Sequence, residues 1–305
     1  MTQGAAQRVV SIIGVGHMGG GMATNLLARG YNVHVHDLDA KKANFYQAKG
    51  AESHINNAQA AIKSIVSIIC VVDAAQTAEV LFGAHGVTSS VPEGHTVMLC
   101  PTIAPQDVES FAKRLADHGI QCIDAPLSGG PARAADGSMS LMVACADAVF
   151  AQHARLINDL SSKVFRISQR PGDAARTKLV NNLLAAINLA GAAEAMALAE
   201  RMGLDLAATL AVIEQSSGQS WIGSDRMRRA LAADFAPRAH MGLLAKDTGL
   251  ALAAAQALGI GPALGQLASA TFARALVAGL GDHDDAALFT MLQSEYHNRG
   301  RTPLP

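Results

Sequence analysis

Short apolar runs alternate with longer mixed stretches through the first half of the chain. RVVSIIG (8–14), YNVHVHD (31–37), IVSIICVV (65–72), HTVMLCP (95–101), QCIDAPL (121–127), SLMVAC (140–145) and KVFRIS (163–168) read as strands. They are rich in β-branched residues and bounded by Gly, Pro or Asp. Several are apolar almost throughout, as expected when both faces of a sheet are covered. Helical patterns lie between many of them, near 17–29, 39–49, 105–118 and 147–160. Strand–helix alternation of this kind predicts an α/β fold with a mainly parallel, doubly wound sheet.

The pattern changes after RPGD (170–173). From Asp173 to Met202 there is no proline and Gly191 is the only glycine. This predicts one helix of about 30 residues, roughly 45 Å long, with Gly203 placed to cap its C-terminus. Being apolar nearly all round, the helix is expected to be buried on several sides. Further helical segments follow to about Gln293, and the tail HNRGRTPLP is expected to fray. Two domains are predicted: residues 1–170 around the sheet, and an all-helical domain over 171–305.

Composition narrows the function only by exclusion. The chain has 305 residues, half of them apolar, which is enough for two cores. A formal net charge of −1 gives no reason to expect nucleic acid or an anionic membrane surface as a partner. The four cysteines, Cys70, Cys100, Cys122 and Cys145, lie in or at the ends of strand-like runs, and none forms a CxxC pair. They read as buried free thiols in a reducing cytosol. MTQGAAQR has no charged segment leading into an apolar one, so no secretion signal is expected. Together these features imply a soluble cytoplasmic protein.

The chemistry starts at the first strand. Gly14, Gly16 and Gly19 form G-x-G-x-x-G directly after it and at the start of a helix. The first glycine permits the tight turn, the second lets backbone approach a pyrophosphate, and the third lets helix and strand pack closely. The N–H groups of the helix start then face the phosphates. This predicts a Rossmann-type dinucleotide site, with His17 and Met18 inside its loop. Asp37 ends the next strand, where its carboxylate can accept from an adenosine ribose. Its charge would repel a 2′-phosphate by roughly 1–4 kcal/mol at contact, and Leu38 rather than an arginine follows it. NAD is therefore expected over NADP, although Lys41 and Lys42 lie one turn on. The alternative is that Asp37 only caps the next helix.

Two further groups of residues suit a small acid. In DAPLSGGPARAADGSM (124–139), Ser128, Gly129 and Gly130 offer a hydroxyl and two backbone donors without side-chain bulk, which suits a carboxylate. In the long helix Lys178 and Asn182 are four apart, so they share a side. A lysine at the start of an apolar helix can simply snorkel to the surface. Held in a desolvated cleft near other cations, its pKa would instead fall from about 10.4 towards neutrality. It could then exchange a proton with an alcohol, while Asn182 held the hydroxyl or the carboxylate.

Taken together, these motifs resemble the β-hydroxyacid dehydrogenase family, over about residues 8–293. GVGHMGGGMATNLLARG is similar to the family's cofactor loop, DAPLSGG to its substrate-binding segment, and KLVNN to the segment with its catalytic lysine. FAPRAHMGLLAKDTGLA is similar to its later K-D segment, here Lys246 and Asp247. The resemblance implies Lys178 as catalytic acid/base, Ser128, Gly129, Gly130 and Asn182 as substrate ligands, and Thr102 and Lys246 near the cofactor. It also implies a hydride transfer between NAD and a hydroxy acid, at a cleft between the domains. Pro101, Val72 and Ala134 depart from the pattern without removing a group the chemistry needs. SSGQSW (216–221), DFAPRAH and DHDDAALF look most like the threonate dehydrogenase branch, which acts on four-carbon sugar acids. Ser217, Gln219 and Ser220 could meet extra substrate hydroxyls or only cap helices.

Other readings stay open. The substrate could be 3-hydroxyisobutyrate or tartronate semialdehyde. Lys178 argues against an imine reductase and against a non-catalytic dinucleotide-binding module. GDHDDAAL (281–288) reads as a helix start rather than a metal cluster, so no metal is expected. Trp221 reads as core rather than as a wall of a neighbouring subunit's cleft, and the remaining histidines look scattered. The apolar perimeter of the long helix implies a homodimer or homotetramer.

Overall fold

The computed structural model describes residues 8–299. The expectation of no secretion signal bears on MTQGAAQR, of which Arg8 alone lies inside that range. Gly300–Pro305 of the tail also lie outside it, whereas His297–Arg299 continue the last helix instead of fraying. The chain forms two compact units, residues 1–178 and 179–305.

Among the described residues the first unit holds nine strands: β1 (Val9–Ile13), β2 (Asn32–His36), β3 (Glu52–Ser53), β4 (Val66–Ile69), β5 (Thr96–Leu99), β6 (Gln121–Asp124), β7 (Leu127–Ser128), β8 (Ser140–Ala144) and β9 (Lys163–Ser168). Among them run α1 (His17–Ala28), α2 (Ala40–Gln47), α3 (Asn57–Ala61), α4 (Ala74–Phe82), α5 (Pro105–Asp117), α6 (Gly130–Asp136) and α7 (Asp147–Leu160). The sheet order is β3-β2-β1-β4-β5-β6-β8-β7, with β9 on β8. From β3 to β6 every pairing is parallel, and β8 then pairs antiparallel with both β6 and β7. The mainly parallel sheet is thus as the alternation implies. The two strands that the pattern does not reveal, β3 and β7, are two residues long, too short for any periodicity.

β1, β4 and β5 are buried along nearly their whole length because helices cover both faces of the sheet. Val10, Ile12, Val33, Val35 and Ile68 join one core with Met22 and Leu26 of α1. Ile13, Ile69, Val97 and Leu99 join the other, with Leu115 of α5.

The long helix, α8 (Asp173–Arg201), has 29 residues. Its first turns belong to the sheet unit: Ala174 packs with Met142 and Ala144, and Ala175 with Ile103 and Val108. The second unit continues α8 with α9 (Leu206–Glu214), α10 (Trp221–Leu231), α11 (Met241–Ala257), α12 (Ala263–Val277) and α13 (Leu288–Arg299). Ala186, Leu189, Ala193 and Met196 of α8 line its core with Phe272 and Leu288.

The expectation that α8 is buried on several sides needs correction. Val180 is 71% exposed, and Leu184 and Leu198 are also exposed. Within one chain the other helices cover only part of its perimeter. Among the described residues α8 is the one helix long and apolar enough to cross a membrane by length and composition. Its place in the helical core accounts for that composition.

Candidate active site

The glycine loop has the shape that its spacing predicts. Gly14 sits at φ +88°, and a Cβ there would lie 2.6 Å from the Cys70 carbonyl oxygen. A Cβ on Gly19 would lie 1.9 Å from the Gly14 carbonyl oxygen. Both positions therefore require glycine. Gly16 is different, since nothing lies within 4 Å of where its Cβ would be. That open side, at the N-cap of α1, fits the approach of a pyrophosphate. His17 is exposed at the first position of α1, and Met18 packs partly against the core.

Asp37 ties this loop down. Its Oδ2 accepts from the Val15 N–H at 2.8 Å and its Oδ1 from the Asp39 N–H at 2.9 Å. The alternative that Asp37 caps the next helix is not what the structure shows, because Asp39 caps α2 by accepting from the Lys41 N–H. A carboxylate offers about four lone-pair sites, so Asp37 retains capacity for a ribose hydroxyl. Leu38 beside it is almost fully exposed. Thr102 follows β5 and is half-buried.

The second loop begins on β7, where Ser128 pairs with Ser140 of β8. Gly129 has φ +135°, and a Cβ there would strike Arg133 at 2.9 Å. Gly130 has φ +79° and open space where its Cβ would be, as at Gly16. Pro131 follows in the first turn of α6, so the loop turns directly into a helix start. A carboxylate can approach this backbone without meeting a side chain at Gly130.

Lys178 is 7% exposed, so it is not a snorkelling surface lysine. It lies a little over one turn into α8. Asp124 holds that helix start: its Oδ2 accepts from the Gly172 N–H at 2.7 Å and the Ala175 N–H at 3.1 Å. Burial pushes the Asp124 carboxyl up to about 6, against the opposing pull of the Ala175, Gly172 and Ala174 amides.

In the second unit Asn182 is 8% exposed, and its amide is fixed from both ends. Its Nδ2 donates to Asp247 Oδ2 at 2.6 Å, and its Oδ1 accepts from Asn181 Nδ2 at 3.0 Å. Asp247 is also ion-paired with Lys246 at 3.0 Å. The K-D segment and the long helix thus meet through Asp247, a residue whose role the local sequence does not reveal.

Comparison with known proteins gives the family. Residues 9–168 match the family model of the NAD binding domain of 6-phosphogluconate dehydrogenase. Residues 172–292 match that of the NAD-binding domain of NADP-dependent 3-hydroxyisobutyrate dehydrogenase. An L-threonate dehydrogenase of Cupriavidus necator is 35% identical over 92% of this chain and 95% of its own. This chain belongs to the β-hydroxyacid dehydrogenase family. A 3-hydroxyisobutyrate dehydrogenase of Pseudomonas aeruginosa is 34% identical over 86% of this chain and 90% of its own. The crystal structure of 3-hydroxyisobutyrate dehydrogenase from Salmonella typhimurium superposes with a TM-score of 0.86 at 34% identity. It covers 93% of this chain and 99% of its own. The protein is therefore an NAD-dependent dehydrogenase acting on a CH–OH group.

One residue of this dehydrogenase lies elsewhere than expected. Trp221 is not core: it is 53% exposed at the start of α10, where Ser220 caps the helix by accepting from the Gly223 N–H. Gln219 and Trp221 line a cavity of about 430 Å³ with Arg228 and Glu214, all within the helical unit. Asp284 and Asp285 of GDHDDAAL are buried and bound to arginines, Asp284 to Arg229 at 2.9 Å and Asp285 to Arg226. Asp284 also accepts from the Arg238 and Ala286 N–H groups and opens a short 3₁₀ turn ahead of α13. The four cysteines are free, and burial raises their thiol pKa values.

The histidines are less scattered than the sequence suggests. Parallel pairing of β2 with β3 sets His34 opposite Glu52. His34 Nδ1 and His54 Nε2 are 3.0 Å apart, and His34 Nε2 lies 3.7 Å from Glu52. Each of the three could offer a metal one ligand atom. One His34 nitrogen shares a hydrogen bond with His54, and the other faces the Glu52 carboxylate at ion-pair distance.

Proposed function

We propose that this dehydrogenase oxidises a four-carbon sugar acid, L-threonate, with Lys178 as its general base. The observation that carries the role of the lysine is its burial, 7% exposed, at the helix start that Asp124 holds. An amine kept from water in this way is suited to exchange its proton with a bound group. The choice of substrate is supported by the 35% identity to L-threonate dehydrogenase across 92% of the chain.

In this reading Ser128 Oγ and the backbone N–H groups of Gly129 and Gly130 hold the substrate carboxylate. Asn182 holds the hydroxyl, its amide orientation set by Asp247 and Asn181. Neutral Lys178 removes the hydroxyl proton, and in the reverse direction the ammonium returns it. The residues that would hold NAD are Gly14, Gly16, His17, Met18, Gly19, Asp37, Thr102 and Lys246. When bound, NAD supplies the hydride acceptor. Asp37 disfavours a 2′-phosphate at the ribose, so NAD is preferred to NADP. In this reading residues 1–170 are the cofactor domain and 171–305 the helical substrate and dimerisation domain.

A second substrate has its own support, since a 3-hydroxyisobutyrate dehydrogenase is 34% identical to this chain. A screen of C3–C5 hydroxy acids, including both threonates, erythronate and 3-hydroxyisobutyrate, separates the two by NADH absorbance. L-Threonate should give the highest kcat/KM. A higher value for 3-hydroxyisobutyrate would replace the threonate assignment. The exposed Val180, Leu184 and Leu198 of α8 support a homodimer or homotetramer, which sedimentation measures directly.

A further inference from the structure

We infer that Asp124 is the positioning residue for Lys178: its carboxylate fastens the first turn of α8 to the end of β6 and thereby fixes where the lysine stands relative to the Ser128–Gly130 loop. This rests on the reading of Lys178 as acid/base.

The geometry has three parts. Asp124 is the last residue of β6, and the same chain reaches Ser128 four residues later. Its Oδ2 takes two amide donors of the helix start, Gly172 at 2.7 Å and Ala175 at 3.1 Å. Lys178 is three residues beyond Ala175, on the neighbouring turn of the same helical side. One buried carboxylate therefore links the strand that leads to the substrate loop with the helix that carries the amine.

The contact has little freedom. Gly172 sits at φ +101°, and a Cβ there would lie 2.8 Å from Glu109 Cγ. Ala174 and Ala175 are buried against the sheet unit, where their small side chains allow close approach. Outside this contact, Ser168 Oγ donates to Asp173 at 2.8 Å and Arg176 pairs with Glu109 at 2.6 Å.

Stability alone does not explain a carboxylate at this place. Asp124 is 1% exposed, and its stabilising partners are backbone amides, while Asp173 is a second negative charge acting on it. An uncharged amide of the same shape would avoid the desolvation cost of a buried anion. What the anion provides is a strong acceptor for several N–H groups at the positive end of a helix. That fixes both the rotation and the axial position of the turn that bears Lys178.

The test compares Asp124→Asn, Asp124→Ala, Lys178→Ala and the double variant Asp124→Asn/Lys178→Ala, in the full-length enzyme with NAD and the best hydroxy acid. Asp124→Asn and Asp124→Ala should each lower kcat by about 10- to 10²-fold, the scale of a small misplacement of a reacting group. KM for NAD should stay within about twofold of wild type, and Asp124→Asn should melt at pH 8 no lower than wild type. In the Lys178→Ala background Asp124→Asn should cost less than about twofold more, because residues acting through one another are not additive. Wild-type kcat in Asp124→Asn would overturn the inference, as would a kcat loss that tracks loss of folded protein. A full, independent loss in the double variant would overturn it too. Undiminished turnover in Lys178→Ala would instead remove the lysine's role, and an inactive Lys178→Ala beside a fully active Asp124→Asn would remove only Asp124.

Discussion

Two aspartates at strand ends do similar work in different surroundings. Asp37 ends the β2 run and accepts from the Val15 N–H of the glycine loop. Asp124 ends β6 and accepts from the Gly172 and Ala175 N–H groups of the long helix. Each uses a carboxylate to hold backbone donors of a site element. They differ in burial: Asp37 is half-exposed at the rim of the sheet, and Asp124 is 1% exposed inside it. A half-exposed carboxylate can hold a loop and still meet a ligand. A buried one can only hold, and its charge is costly. The same contact thus suits recognition in one place and positioning in the other.

The largest effect that would test the contrast lies at the residue Asp124 is inferred to serve. Lys178→Ala should lower kcat by about 10²- to 10⁴-fold, the range of general acid–base catalysis, while NAD affinity measured by titration stays near wild type. Full turnover would leave the buried aspartate with nothing to position.

The next effect is on stability against pH. The Asp124 carboxyl is raised to about 6 in the fold, from an ordinary 3.8. The folded state therefore holds this proton more tightly than the unfolded chain does. The resulting stability is fully present below pH 3.8 and is lost as pH rises through about 6. At about 1.4 kcal/mol per unit, the loss from this group is of order 3 kcal/mol. Asp124→Asn should lack that component, so its denaturant midpoint should fall less than that of wild type between pH 4 and 7. Parallel curves for the two proteins would show that the burial of Asp124 carries no such cost.

Asp37→Ser should matter less for stability and more for cofactor choice. It removes the charge facing a 2′-phosphate, and the ratio of NADP to NAD kcat/KM should rise about 10-fold, for a repulsion of roughly 1.4 kcal/mol. It also removes the acceptor for Val15, so affinity for NAD itself should fall. An unchanged ratio would place the ribose away from Asp37. The smallest effect belongs to the neighbouring residue. Leu38 is 94% exposed, and Leu38→Ser should change stability by no more than about 0.5 kcal/mol. A larger change would mean that the rim around Asp37 is not open to solvent.

Much of the candidate site is legible in the chain because local backbone geometry demands particular residues. Gly14, Gly19, Gly129 and Gly130 show in the sequence because their φ values or close contacts exclude a side chain. Lys178 shows because a charge interrupts an apolar helix. The supporting residues are less visible. Asp124 stands 48 residues from Gly172 in the chain, and Asp247 stands 65 from Asn182. Trp221 misled for a related reason: size and apolarity suggest core, but its position at a helix start leaves it 53% exposed.

The alternation of apolar and polar positions, with its glycines, was sufficient by itself to determine a mainly parallel sheet, a dinucleotide loop and a long helix with a lysine near its start. These are short-range consequences of helix and strand periods and of allowed backbone angles, so they are written in consecutive residues. Tertiary structure alone decided which aspartates hold which amides, that His34 and His54 meet across β2 and β3, and which side of α8 stays uncovered. Those outcomes depend on strand order and packing between distant segments, where each residue's role is set by neighbours that the local pattern does not specify.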